Sequence, residues 1–248
     1  MKSVVITGGN RGIGLSITEA FVQAGYYVVV GARQERGLSE RFGDKVRFIA
    51  SDVRKEADMH ALADAAVQKT GSLDAWVNNA GYSAWRPIGE IDDTFLDDLL
   101  ATNLKGAFWG CKAAAAVMKT GAAIINISSI AGKRGSSNNA AYVATKFGMN
   151  GLTQSLAKEL GPNGIRVNAL CPVLITTDGL LEALTEPYAP AANTDPAAFI
   201  SKFAADNAAL KRLPTGAEVG SMCVFLASEG ASAITGQCIN VDCGVFPQ

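Results

Sequence analysis

The sequence has 248 residues, 48% of them hydrophobic and 18% charged, with 22 lysines and arginines against 23 aspartates and glutamates. That is enough chain for one substantial core, and a single α/β domain is expected. The near-neutral balance supplies no basic field for nucleic acid or an anionic membrane surface, so a small-molecule ligand is the expected partner.

The N-terminal apolar run Val4-Val5-Ile6 stops at Thr7-Gly8-Gly9, too short for a secretory signal. No stretch approaches the roughly twenty apolar residues of a membrane span. A soluble, cytoplasmic protein is expected. The five cysteines form no Cys-x-x-Cys pair, and their odd number points to reduced thiols rather than a disulfide framework. His60 is the only histidine, on a polar stretch, and no metal site is expected.

Short β-branched runs at 4–6, 27–30, 46–49, 75–77, 123–127, 167–170 and 238–241 alternate with longer, alanine-rich helical stretches. Most of these runs are apolar on both faces, as strands covered by helices on each side must be. The pattern predicts a Rossmann-type, doubly wound parallel sheet in a three-layer α/β domain. The first run leads into Thr7-Gly8-Gly9-Asn10-Arg11-Gly12-Ile13-Gly14 and then a helix, where glycines let the backbone approach a pyrophosphate at the helix N-terminus. Its Gly-x3-Gly-x-Gly spacing differs from the commoner Gly-x-Gly-x-x-Gly fingerprint.

The second run ends Val30-Gly31-Ala32-Arg33. A carboxylate there would accept from the 2′-hydroxyl of NAD(H); Arg33 instead offers a planar fork for a 2′-phosphate, with Arg11 as a second cation. NADP(H) is therefore expected, with NAD(H) as the alternative in which Glu35 reaches the ribose. Further on, Tyr142 and Lys146 stand four residues apart on a helical stretch and emerge on one face. A cation ~4 Å from a phenol contributes roughly 4 kcal/mol at intermediate dielectric, or about three pKa units before screening. Tyr142 is thereby expected to move toward neutrality and to exchange a proton with an alcohol or a carbonyl. The segment 178–211 breaks the strand and helix rhythm, carries Pro187, Pro190 and Pro196, and is expected to be a lid or substrate loop.

Taken in order, Thr7 to Gly14, Asp52-Val53, Asn78-Asn79-Ala80-Gly81, Asn103, Ser128-Ser129 and Tyr142 to Lys146 match the motifs of the short-chain dehydrogenase/reductase family. Pro172, Ile175 and Thr177, then Phe225-Leu226-Ala227-Ser228 and Thr235-Gly236-Gln237, extend the match, so the sequence resembles that family over essentially its whole length. The resemblance implies an oxidoreductase that interconverts a secondary alcohol and a ketone. It implies Ser129 as the serine that holds the substrate oxygen, Tyr142 as general acid and base, Lys146 on the nicotinamide ribose, and Asn103 holding a water that links Lys146 to solvent. Cofactor contacts are implied for Gly8, Asn10, Arg11, Gly12, Ile13, Gly14 and Arg33; for Asp52 and Val53 at the adenine; for Asn79, Ala80 and Gly81 on the adenosine side; and for Tyr142, Lys146, Pro172, Ile175 and Thr177. A homotetramer or dimer is implied, with contacts through the helices around 93–119 and 140–160.

Two residues depart from the family pattern: Val173 and Cys243 stand where glycines are usual. The substrate side is expected to be lined by 82–85, 130–139 and 178–211, where Trp85, Tyr188, Phe199 and Phe203 are candidates for an apolar pocket and Lys133 and Arg134 for an anion contact. Three other functions fit parts of the pattern: a 3-oxoacyl thioester reductase, a catalytically inactive nucleotide sensor, and a sugar-nucleotide epimerase or dehydratase. Intact Ser129, Tyr142 and Lys146 argue against the sensor, and the length argues against the epimerase.

Overall fold

The computed structural model describes residues 1–247. Seven strands, β1 (Ser3–Thr7), β2 (Tyr27–Ala32), β3 (Val46–Ala50), β4 (Ala75–Asn78), β5 (Ala123–Ile127), β6 (Arg166–Pro172) and β7 (Cys238–Val241), form one parallel sheet in the order β3-β2-β1-β4-β5-β6-β7. Each expected run is a strand, five of them longer by one to three residues. The strand order reverses between β1 and β4, which opens a crevice at the carboxyl ends of these two strands, where ligands of open α/β sheets bind.

Helices α1 (Gly12–Gln23), α2 (Leu38–Phe42), α3 (Glu56–Thr70), α4 (Asp93–Leu99), α5 (Gly106–Val117), α6 (Ala140–Leu160), α7 (Asp178–Leu184), α8 (Pro196–Asn207) and α9 (Gly216–Ala227) supply the outer layers and the segment after β6. One face of the sheet buries Ile6, Val28, Val30 and Ile125 with Ile17 and Phe21 of α1 and Val219, Cys223 and Leu226 of α9. On the other face Val5, Val29, Trp76 and Ile124 pack with Met59 and Leu62 of α3, Cys111 of α5 and Ala157 of α6. Strands clad on both sides explain why β1 and β5 are apolar at nearly every position.

Small residues set how closely the layers approach. Side chains at Gly216 and Gly220 of α9 would collide with Ser16 and with the Ser16 carbonyl and Ala20 of α1, so glycine there lets the two helices lie backbone to backbone. Helix α9 starts with a reciprocal cap in which Thr215 and Glu218 satisfy each other's backbone N–H groups. The segment 178–211, expected as a loop, contains two helices. α7 is capped by the Thr177 hydroxyl on Leu180 N–H at 3.2 Å, and α8 by Asp195 with Pro196 in the first turn. These helices build a small core of their own from Leu184, Ala189, Ala191 and Ile200, which takes in Trp85 from the loop after β4.

Candidate active site

The glycine loop is pinned to both neighbouring strands. Gly8 N–H donates to the Gly31 carbonyl at 2.7 Å, and the Asn10 amide to the Gln34 carbonyl at 2.6 Å, so the loop lies against the end of β2. Asn79 donates its side-chain amide to the carbonyls of Thr7 (3.0 Å) and Gly8 (3.1 Å), while the Thr7 hydroxyl accepts from the N–H groups of Asn79 and Ala80 at 3.1 Å each. The side chain of Asn79, expected near a ribose, is thus committed to shaping the loop. Any side chain at Gly14 would overlap the Gly8 carbonyl, and Gly8 and Gly12 have φ of +67° and +51°.

Helix α1 begins with Arg11 extended and with neither a side-chain cap nor an acid in its first turn. Its first N–H groups are therefore available as donors at the positive end of the helix, the donor set a diphosphate needs. A Cβ at Gly12 would meet only Thr177, at 3.5 Å, so the loop and the segment after β6 face one another across a gap. These residues fit a dinucleotide. Arg11 and Arg33 are exposed, and the Glu35 carboxylate accepts from Ser39 N–H at 3.1 Å at the start of α2. Asp52 is gripped by Arg54 Nε and Nη2 at 2.6–3.0 Å, which holds its carboxyl below the usual range, and Val53 packs beside Gly106.

Strand β5 leads into Ser128 and Ser129, and the long helix α6 crosses beside it. The Lys146 ammonium, 5% exposed, donates to the Ile127 carbonyl at 2.8 Å and lies 5.6 Å from the centre of the Tyr142 ring. Ser128 donates to the Lys146 carbonyl at 3.3 Å, and the Ser129 hydroxyl accepts from Ala131 N–H at 3.1 Å. Burial shifts both titrating groups of the pair: Tyr142 is pushed up to about 12, against a downward pull from a hydrogen bond with Ser129, and Lys146 is pushed down to about 8. The expectation of a phenol moved toward neutrality by the lysine is corrected here. The ammonium donates to a backbone carbonyl, and removal from water dominates the shift of the phenol.

Asn103 lies in a π-helical turn (Leu100–Lys105) between α4 and α5, not in a regular helix. Its carbonyl oxygen accepts from Tyr82 N–H at 3.0 Å, and its amide donates to the Tyr82 carbonyl at 2.8 Å and to the Thr145 hydroxyl at 3.4 Å. It joins the loop after β4 to α6 one residue from Lys146. Gly81 approaches it so closely that a Cβ would lie 3.0 Å from the Asn103 oxygen. Pro172 ends β6, and Ile175 belongs to the main core. The extra bulk of Val173 is absorbed by a cluster with Ile130, Ala208 and Val245, while Cys243 adopts the left-handed φ of +55°.

A polar network missed in the sequence lies beneath the site. Trp76 Nε1 donates to Asn78 Oδ1 (2.7 Å), Asn78 to Asn126 (2.8 Å) and Asn126 to Thr153 of α6 (2.9 Å), all fully or nearly buried. The available signal was an asparagine inside each of two apolar strands. Among the described residues no helix is long and apolar enough to cross a membrane, and no cluster of three or more His, Cys, Asp or Glu could hold a metal.

A family profile described as enoyl-(acyl carrier protein) reductase matches residues 8–246. The chain is 34% identical to a 3-oxoacyl-[acyl-carrier-protein] reductase of Staphylococcus aureus, over 99% of this chain and 98% of that one. Among solved structures it is similar to a short-chain dehydrogenase/reductase from Brucella melitensis named glucose/ribitol dehydrogenase. The TM-score is 0.89 and the identity 30%, covering 100% of this chain and 97% of the other. It is also similar to a single-residue variant of actinorhodin polyketide ketoreductase with NADPH, with a TM-score of 0.88 and 31% identity over 98% and 97% of the two chains. The chain belongs to the short-chain dehydrogenase/reductase family and is an NAD(P)(H)-dependent oxidoreductase that acts on alcohol and ketone substrates.

Proposed function

We propose that the enzyme works preferentially with NADP(H), with Tyr142 giving and taking the proton, Ser129 holding the substrate oxygen, and Lys146 supporting both the phenol and the cofactor ribose. The observation that carries this reading is the convergence of the three side chains where β5 ends against α6, with the lysine buried. When bound, the nicotinamide supplies or accepts the hydride. The glycine loop, the first turn of α1 and Thr177 are the groups that would hold the dinucleotide, with Asp52, Val53, Ala80 and Gly81 on the adenosine side.

With its pKa pushed up to about 12, Tyr142 is protonated across the neutral range and can donate to a developing alkoxide. Ser129 adds a second donor to the same oxygen, which stabilises the charge that develops there. In the opposite direction the phenol must lose its proton, and a positive charge brought against its ring lowers the cost. Asn103 fixes the loop after β4 against Thr145, and so serves here as a positioning residue rather than a direct contact.

Two neighbouring residues support the NADP(H) preference. Arg33 is exposed immediately beyond β2, and Glu35, the carboxylate in reach of an NAD ribose, is already engaged by Ser39. Fluorescence titration with NADPH and NADH tests it: tighter NADPH binding that is lost in Arg33→Ala is expected, and tighter NADH binding refutes it. Tyr142→Phe should lower kcat for ketone reduction by about 10²–10⁴ with little change in NADPH affinity.

The segment 178–211 acts in this reading as the substrate cover. A homotetramer is supported by Phe108 on α5 and Phe147 on α6, each about half exposed on helices that pack on the same face of the sheet. Light scattering that gives a monomer at micromolar concentration would count against it.

A further inference from the structure

We propose that Asn150 is a positioning residue that clamps the turn following Ser129 onto α6 and so fixes the Ser129 hydroxyl against the Tyr142 phenol. The clamp matters to turnover only through the proposed role of these two groups at the substrate oxygen.

The two groups come from different elements. Ser129 caps the single turn Ile130–Gly132 after β5, while Tyr142 stands in the first turn of α6, so their separation depends on how that turn seats on the helix. Within the turn the backbone is tied back to the serine: Ala131 N–H donates to the Ser129 hydroxyl at 3.1 Å, and Gly132 N–H to the Ser129 carbonyl at 2.9 Å. The turn is a bracket, and whatever holds Gly132 holds Ser129.

Asn150 holds Gly132. It lies one helical turn beyond Lys146, is 8% exposed, and donates its side-chain amide to the Gly132 carbonyl at 2.9 Å. The seat is tight: a Cβ at Gly132 would lie 2.8 Å from the Asn150 amide nitrogen, the Lys146 carbonyl and the Ser128 hydroxyl. Ser128 closes the same seam by donating to the Lys146 carbonyl at 3.3 Å. The other end of the Asn150 carboxamide faces β6, where the Cys171 thiol is 3.9 Å from Oδ1. One side chain thus joins the three segments that bring Ser129, the Tyr142 and Lys146 pair, and Pro172 to the site. Loss of a buried hydrogen bond leaves its partner unsatisfied and lets the bracket move, and a misplacement of about 1 Å at a reacting group can cost about a hundredfold in rate.

Asn150→Leu removes the donor at similar side-chain size, and Gly132→Ala opens the same seat from the other side. Each is assayed by reduction of ethyl acetoacetate with NADPH. The expected result is a fall in kcat of at least about tenfold with NADPH affinity within about twofold of the parent. Made in Ser129→Ala, either change should cost less than about threefold, because the serine through which it acts is gone. A residue that served only the fold would lower the urea midpoint and cost the same in both backgrounds, and that result overturns the proposal.

A second measurement needs no turnover: fluorine NMR of the protein labelled with 3-fluorotyrosine, with the Tyr142 resonance assigned by its loss in Tyr142→Phe. The hydrogen bond with Ser129 pulls the titration of this phenol down. The midpoint should therefore rise in Asn150→Leu and in Gly132→Ala, in the direction found for Ser129→Ala, and no further in the combined variants. Midpoints unmoved by both changes overturn the clamp. Undiminished turnover in Tyr142→Phe, or failure of every ketone with either nicotinamide cofactor, counts against the proton-transfer reading instead, and the NMR titration then decides the clamp alone.

Discussion

The glycine loop and the lid lie at the same edge of the sheet and are held by opposite means. The loop is fixed by backbone: Gly8 to Gly31, Asn79 to two carbonyls, and a Gly14 position with no room for a side chain. The lid is fixed by side chains, through a small cluster around Leu184 and Ile200 and surface bonds such as Tyr188 Oη to Glu90 at 2.7 Å. A backbone-built loop has one geometry and suits a ligand part common to every turnover. A side-chain-built cover changes by substitution and opens at lower cost, as regions with few buried contacts do.

The sharpest way to break the contrast is Gly14→Ala. The added methyl overlaps the Gly8 carbonyl, so NADPH affinity measured by fluorescence should fall by at least about a hundredfold. Affinity within a few-fold of the parent would show that the loop is as adaptable as the lid.

Lys146→Met asks what the buried ammonium contributes to stability where the two regions meet. Lys146 is lowered to about 8 from 10.5, so between these values the unfolded chain binds more protons than the folded one, and folded stability rises with pH. Below about pH 8 the parent carries the full penalty of a buried charge, on the order of 3 kcal/mol, and the methionine variant should be the more stable in urea titrations. That advantage should shrink steadily from pH 8 to about 10.5. A difference independent of pH would mean that the ammonium is not desolvated. Tyr142 contributes in the opposite sense only at higher pH: its raised pKa favours the folded state below 10 and loses that effect as pH climbs toward 12.

Arg33→Ala should cost about tenfold to a hundredfold in NADPH affinity and little in NADH affinity, as expected for charge-assisted bonds to one phosphate. Tyr188→Phe should have the smallest effect. Removal of an exposed bond to Glu90 should change KM by less than about fivefold and leave NADPH binding alone. A large effect on cofactor affinity from this lid residue would dissolve the distinction between the two regions.

This division also governs what could be read from the sequence. The parallel sheet was legible because strands covered on both faces must be apolar throughout, as Val4-Val5-Ile6 and Ala123 to Ile127 are. The loop was legible because its glycines answer to backbone sterics. The two lid helices were not, since α7 is only seven residues long and prolines surround α8. Nor was the direction of the Tyr142 shift, which depends on how deeply tertiary packing removes the helix from water. Asn79 and Asn103 could be singled out by position, but each spends its side chain on neighbouring backbone, a choice that only the folded neighbours determine.

The close seating of α9 on α1 has a consequence for synthesis. About two hundred residues separate these helices along the chain, so at ribosomal rates α1 leaves the exit tunnel about 10–40 s before its glycine-lined partner. For that interval Ile17 and Phe21 lack the helix that covers them in the finished protein. The nascent chain should therefore be most vulnerable to aggregation, and most dependent on chaperones, until its last thirty or so residues emerge.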